Sequence, residues 1–246
     1  MAVRTLRWEG CCNVRDLGGH PTEDGGETRF GAVVRADNVR LLSDAGWREL
    51  ADYGVRRIVD LRFQGEIDED PPRDVRVDVV HVPLLEDPER VAEIDELVKD
   101  VNEPATWRRS VYLAFLERFR GNFARAVSAV ASVPDGTVLV HCAGGVDRTG
   151  LVAALLLRVA AVGIDTVAAD YAESERSWAP FVREWIDEAD GDEERRRRRM
   201  LSVMPAEAMR DVLVELERRH GSSAGYLAEA GVAEADLERV RSRLRA

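Results

Sequence analysis

Cysteine is scarce in this chain: three among 246 residues, at positions 11, 12 and 142. So few exclude a disulfide framework, and the spacings of a metal site are missing; a reducing compartment fits. Long apolar runs are missing too. The longest, LVAALLL at 151–157, is far short of the roughly 20 residues a membrane-spanning helix needs. The opening MAVRTLRWEG has no apolar core of signal-peptide length. Positive charge is in deficit, 35 basic against 46 acidic side chains and a net charge of −11. That excludes a general nucleic-acid binder, which would carry a basic footprint, but leaves room for one small cationic pocket. No internal repeat is visible. Together these absences predict a cytoplasmic protein with no membrane span and no nucleic-acid partner. They specify no oligomeric state.

What is present is enough to build a core: 45% of residues are hydrophobic and 33% charged, the balance of an ordinary globular chain. The length suits one α/β domain over residues 1–246, since such domains reach about 250 residues. Residues 17–31 (LGGHPTEDGGETRFG) read as hairpin or loop. GAVVRA at 31–36 reads as a strand. SDAGWRELADYG at 43–54 reads as a helix capped by Ser43 or Asp44, with Gly54 just past its end. VRRIVDL at 55–61 and VDVVHVPL at 77–84 read as buried strands. Residues 88–132 show helical periodicity in two pieces, broken near Asn102–Pro104. TVLVHC at 137–142 is a short β-branched strand. RTGLVAALLLRVAAVG at 148–163 is apolar nearly all round and so is a buried helix. Everything after it reads as helix, 205–219 most clearly. Strands alternating with helices predict a central, largely parallel sheet flanked by helices, followed by a helical C-terminal part.

The chemistry concentrates in VLVHCAGGVDRTGLV, residues 138–152. Ligands of open α/β sheets bind beyond the carboxyl ends of strands, where Cys142 falls. The five residues from Ala143 to Asp147 let the chain curl before Arg148, and Gly144 and Gly145 permit the tight or left-handed dihedrals this needs. A nest of N–H groups at a helix N-terminus binds an anion. The same field favours a thiolate. Arg148 offers a planar fork that matches two phosphate oxygens, and Thr149 can bond the sulfur or cap the helix. These parts predict phosphoryl transfer onto Cys142 and hydrolysis of the thiophosphate by water. Ala143, Gly144, Gly145, Val146, Asp147 and Arg148 form the predicted phosphate-binding loop. No metal or cofactor is required, because backbone dipoles and the arginine stabilise the charge.

On those residues the chain resembles the Cys-based protein-tyrosine phosphatases. It is most similar to their bacterial tyrosine and phosphoinositide branch, whose signature HCxAGKDRTG stands here as HCAGGVDRTG, 141–150. NVRDLGGHPTEDG at 13–25, GVRRIVDLRFQGE at 54–66 and YLAEAGVAEADLERVRSRL at 226–244 extend the likeness nearly end to end. The resemblance implies Cys142 as nucleophile and Arg148 as phosphate clamp. It offers Asp147 first, and Asp60 second, as the general acid, with Glu66 a weaker third. Asp60 is equally suited to an ion pair with Arg62. The implied substrate is a phosphotyrosine protein or a small phosphomonoester. Val146 stands where the family usually has lysine, and Gly144 where it has alanine. Without that lysine, polyanions such as phosphoinositides should bind less well, favouring monoesters on an aromatic or apolar carrier. An inactive phosphate-binding module is the reading from another class; intact Cys142 and Arg148 oppose it. An arsenate-reducing or sulfur-transfer protein would need a resolving cysteine, and none follows the loop.

Other features carry less. In DEADGDEERRRRRM, 187–200, Asp192, Glu193 and Glu194 are placed to pair with Arg196, Arg197 and Arg198 at i,i+4, giving a solvated helix rather than a basic patch for anionic lipid or a partner. Cys11 and Cys12 read as packing residues; a disulfide from one of them to Cys142 would protect the nucleophile. His141 is expected to bond the loop backbone. The acidic helix at 88–101 reads equally well as a lid, by analogy with the family, or as a surface helix.

Overall fold

The computed structural model describes residues 3–70, 75, 77–133 and 135–245. Its elements in chain order are β1 (Arg15–Asp16), β2 (Val33–Ala36), α1 (Asp44–Asp52), β3 (Val55–Asp60), α2 (Gln64–Glu69) and β4 (Asp78–His81). There follow α3 (Pro88–Val98), α4 (Pro104–Arg118), α5 (Arg120–Ala131), β5 (Thr137–His141), α6 (Asp147–Val159) and α7 (Ile164–Asp187). The chain closes with α8 (Gly191–Leu201), α9 (Ala206–His220), α10 (Ser223–Glu229) and α11 (Glu234–Leu244). The five strands form one sheet in the order β1-β2-β5-β3-β4, with only the β1–β2 pair antiparallel. The expected architecture is therefore present: a largely parallel sheet, helices around it and a helical C-terminal part.

The pleat divides the core in two. Side chains of successive strand residues point to opposite faces. Val34, Ala36, Ile58 and Leu139 enter a smaller cluster with Trp8 and Leu50 of α1. Val33, Val59, Val138 and Val140 enter the larger cluster, which α5, α6 and the C-terminal helices complete. β5 is buried along its whole length. It is the last strand in the chain yet lies between β2 and β3, so the sheet's crossover falls at its end. Ala36 and Asp60 both lie opposite His141 in register, and three strand ends meet where the loop begins. Such a crossover opens a crevice at the carboxyl edge of the sheet.

Three local expectations change. The segment 77–84 is an edge strand, β4, of four residues with Asp78, Val79 and His81 exposed; an apolar run alone does not separate an edge from a centre. Residues 88–132 form three helices rather than two. The break at 102–104 is present, and a second falls at Phe119, whose φ of −117° and ψ of 23° leave the helical region while its ring is buried. Helix α8 is solvated as expected, and of its expected pairs Glu194–Arg198 is present while, among the described residues, the other two are not. Glu194 takes Arg198 at 2.8 Å and Arg197 at 3.6 Å, whereas Asp192 takes Arg195 at 2.9 Å. The acidic helix α3 buries Ile94 and Val98 in the main core and packs along α4.

Candidate active site

Strand β5 delivers Cys142 to the carboxyl edge, where it is buried and accepts a hydrogen bond at Sγ from Thr149 Oγ1 at 3.1 Å. His141 turns its Nδ1 to the Cys142 carbonyl at 3.1 Å, as expected of a residue that holds backbone. Burial pushes its imidazole down from the usual range.

The loop from Ala143 to Val146 is held from outside by its carbonyls. Ala143 O accepts from the Asn38 N–H at 2.9 Å. Gly144 O accepts from Asn13 Nδ2 at 3.1 Å and Trp178 Nε1 at 2.9 Å. Gly145 O accepts from Asn13 Nδ2 at 3.2 Å and Arg35 Nη2 at 2.8 Å. In a trans peptide the next N–H points opposite to the carbonyl. The N–H groups of Gly144, Gly145 and Val146 are therefore turned away from those outer partners, to the inside of the loop. Inward N–H groups at the positive end of a 13-residue helix make an anion cradle.

The two loop glycines are not equivalent. Gly145 has φ +65° and a Cβ there would lie 2.6 Å from Ala36 O, whereas a Cβ at Gly144 would meet nothing closer than Trp178 at 3.6 Å. Gly145→Ala is expected to lower stability by about 1–3 kcal/mol and to open the loop. Gly144→Ala should stay within about 0.5 kcal/mol. Urea denaturation of the two variants checks this, and equal losses would show that the loop is not clamped against β2.

Arg148 is built into α2 as much as into its own helix. Its Nη1 and Nη2 bond Glu66 Oε2 and Oε1 at 2.5 and 2.8 Å. Glu66 also accepts from the Phe63 N–H at 2.7 Å, and the Phe63 ring lies 4.4 Å from the Arg148 guanidinium carbon. Burial works against both charges, yet each side chain's bonds to the other outweigh it, holding Glu66 below and Arg148 above the usual range. The Nε edge of the Arg148 fork has no hydrogen bond among the described residues.

The two aspartates differ sharply. Asp60 is 2% exposed and its carboxylate is taken by Arg62 Nε and Nη2, the latter at 2.8 Å. Burial would push its carboxyl up, but His141 and Arg62 outweigh burial and hold it below the usual range. The ion-pair alternative for Asp60 is what the geometry shows. Asp147 has a side chain 43% exposed at the loop. Its Oδ1 accepts from Arg108 Nη1 at 2.6 Å and from Tyr112 OH at 2.5 Å, and Oδ2 carries no hydrogen bond among the described residues.

Behind the loop sits a buried hub. Asp170 on α7 accepts from Arg15 Nε at 3.0 Å and from Arg35 Nη1 at 2.9 Å. Burial alone would raise the Asp170 carboxyl, but Arg15, His20 and Arg35 hold it well below the usual range. Cys11 and Cys12 are free thiols like Cys142, and burial followed by the Asp37 charge pushes both up.

Cys142, Ala143, Gly144, Gly145, Val146, Asp147 and Arg148 thus share one loop, while Asp60 stands on the neighbouring strand end, turned to Arg62. Val146 is 5% exposed and joins the apolar core. The sequence reading missed Asn13, Arg35, Trp178 and Arg108, and it weighed Glu66 only as an acid. Asn13 stood in the NVRDLGG segment already singled out, where a clamp role had no local signal.

Comparison with known proteins gives a family model described as the tyrosine phosphatase family, matched over residues 6–246. A tyrosine-protein phosphatase of Nostoc commune is 28% identical over 229 residues, covering 87% of this chain and 74% of the relative. The triple specificity protein phosphatase PtpB of Mycobacterium tuberculosis is 28% identical over 282 aligned positions, covering 98% of each.

Proposed function

The chain belongs to the tyrosine phosphatase family, and we propose that residues 142–148 are its catalytic loop and phosphotyrosine in proteins its substrate. One observation carries this reading. A cysteine sulfur, a loop whose carbonyls are held outward and an arginine fixed by Glu66 with its Nε unbonded among the described residues all lie within seven residues of the central strand's end. Cys142 attacks phosphorus in line, displacing the phenolic oxygen. Arg148 and the loop N–H groups hold the equatorial oxygens as charge spreads over them. Water then cleaves the S–P bond and releases inorganic phosphate. The work of charge stabilisation is done by fixed dipoles and a guanidinium, so the proposed reaction needs no metal.

Asp147 is the proposed general acid, because its Oδ2 is open at the loop while Asp60 is enclosed. Asn in place of Asp147 is expected to slow phosphotyrosine peptides by about 10²–10³-fold. It should slow para-nitrophenyl phosphate far less, since that leaving group needs little protonation. Equal losses on both substrates would remove Asp147 from this role.

An apolar, uncharged Val146 supports monoesters on an aromatic carrier over polyanionic lipids. A panel of phosphotyrosine peptide, phosphoserine peptide and phosphoinositide, each with excess chelator, tests the proposal. Turnover of the first, undiminished by chelator, is the expected result; faster turnover of the phosphoinositide would replace the substrate claim. One catalytic domain over 1–246 and a cytoplasmic location belong to the same proposal. The second is supported by three unpaired cysteines, and no described helix is long and apolar enough to cross a membrane.

A further inference from the structure

Helix α4 carries Arg108 and Tyr112 one turn apart, and both side chains reach Asp147, the first residue of α6. Both are buried. The direction of the Arg108 fork does not depend on Asp147. Its Nε donates to Val203 O at 2.8 Å and its Nη2 to Leu201 O at 2.6 Å. Those two anchors aim Nη1 at the loop, where it bonds the Tyr112 hydroxyl at 2.9 Å and Asp147 Oδ1 at 2.6 Å. Asp147 is the one ion-pair partner of this buried guanidinium among the described residues.

The Tyr112 hydroxyl has a single proton, and Asp147 Oδ1 accepts it at 2.5 Å. Burial pushes that phenol well above its usual range, so it stays a donor. With its proton committed, Tyr112 must accept from the Tyr171 hydroxyl on α7, 2.8 Å away. The chain from Tyr171 through Tyr112 to Asp147 thus runs in one direction, and each bond polarises the next. Two donors meet on one oxygen of Asp147. A proton on Oδ1 would face both of them, whereas Oδ2 has no hydrogen bond among the described residues.

We propose that Arg108 and Tyr112 are positioning residues that act on the reaction through Asp147, placing its transferable proton on Oδ2 and compensating the carboxylate left behind. This rests on the reading of Asp147 as general acid. As the Cys142 sulfur bonds phosphorus and the phenolic P–O bond breaks, the Oδ2 proton moves to the departing oxygen. The bare carboxylate is then met by a guanidinium and a hydroxyl already in place, so no rearrangement is needed. When water attacks the thiophosphate, one of its protons returns to Oδ2 and the sulfur leaves as thiolate.

The test is Tyr112→Phe, which deletes one oxygen and keeps the ring edge-on to Tyr171. Its kcat/KM on a phosphotyrosine peptide should fall about tenfold, the size of one charge-assisted hydrogen bond. On para-nitrophenyl phosphate, whose leaving group needs little protonation, it should stay within about twofold. Tyr171→Phe removes a hydroxyl from the same buried chain without touching Asp147, and should stay within about twofold on both substrates. Added to Asp147→Asn, Tyr112→Phe should cost nothing further, because the group it positions is gone. Arg108→Lys offers a second route, since one ammonium cannot hold both carbonyls and Oδ1. It should show the same split between substrates and the same silence in the Asp147→Asn background. Where Asp147→Asn separates the two substrates, equal losses on both in Tyr112→Phe, or no loss on the peptide, overturn the proposal. So does full additivity with Asp147→Asn, or a Tyr171→Phe loss as large as that of Tyr112→Phe. If Asp147→Asn slows both substrates alike, the acid reading fails by itself, and additivity still decides whether Tyr112 works through Asp147.

Discussion

Serine in place of Cys142 is expected to cut hydrolysis of para-nitrophenyl phosphate by ~10⁴-fold or more while leaving the protein folded. The two side chains differ in one atom, yet a thiol ionises near neutral pH and an alcohol does not, and it is the anion that attacks. The Thr149 hydroxyl donates to the sulfur at 3.1 Å, and helix α6 begins with its positive end toward the loop. A serine oxygen can accept the same bond from Thr149, so no buried polar group is orphaned and the thermal midpoint should stay close to that of the parent. The loop should still bind phosphate, because its N–H groups and Arg148 are untouched. Steady-state rates and phosphate titration check both halves. Retention of more than a few per cent of the activity would mean that the sulfur is not the nucleophile.

Lysine in place of Arg148 is expected to cost about 10³-fold in kcat/KM, although the charge is kept. The guanidinium here has two edges in use at once. One is fixed by Glu66 at 2.5 and 2.8 Å, and in the proposed reaction the other holds the phosphate. An ammonium is a single point with no second edge, so it can satisfy Glu66 or the phosphate but not hold both in register. The stacked Phe63 ring, 4.4 Å from the guanidinium carbon, would also lose its planar partner. The loss should fall mainly in kcat, since the fork matches the equatorial oxygens of the transition state better than those of the bound ester. A variant within tenfold of the parent would show that charge alone suffices.

These two residues were legible in the sequence because their chemistry sits in one contiguous stretch, where a strand end, two glycines and a helix start can be read by eye. The partners that make the loop work were not. Asn13 reaches Gly145 across 132 residues, Arg35 across 110, and Trp178 reaches Gly144 across 34. None has a local pattern that says which carbonyl it will meet. Glu66 shows the same limit: its type suggested an acid, and only the fold reveals a bidentate partner for Arg148. The parallel sheet was readable from alternating strands and helices. The edge position of β4 was not, because strand order is decided by what packs beside a strand rather than by the strand itself. The break at Phe119 escaped for a related reason, since a core-anchored ring ends the helix there without proline.

The buried hub behind the loop has a consequence for how the molecule assembles. Asp170 joins Arg15 and Arg35 across 155 and 135 residues, and contacts between such distant segments carry a loop-closure cost that local ones do not. Until α7 docks, Arg35 has no counter-ion, and one of the two donors to the Gly145 carbonyl is unanchored. The outer clamps of the loop from Ala143 to Val146 are therefore complete only once α7 is in place. A chain ending before α7 would carry Cys142 and Arg148 in a loop that lacks the Trp178 clamp and the Asp170 counter-ion of Arg35.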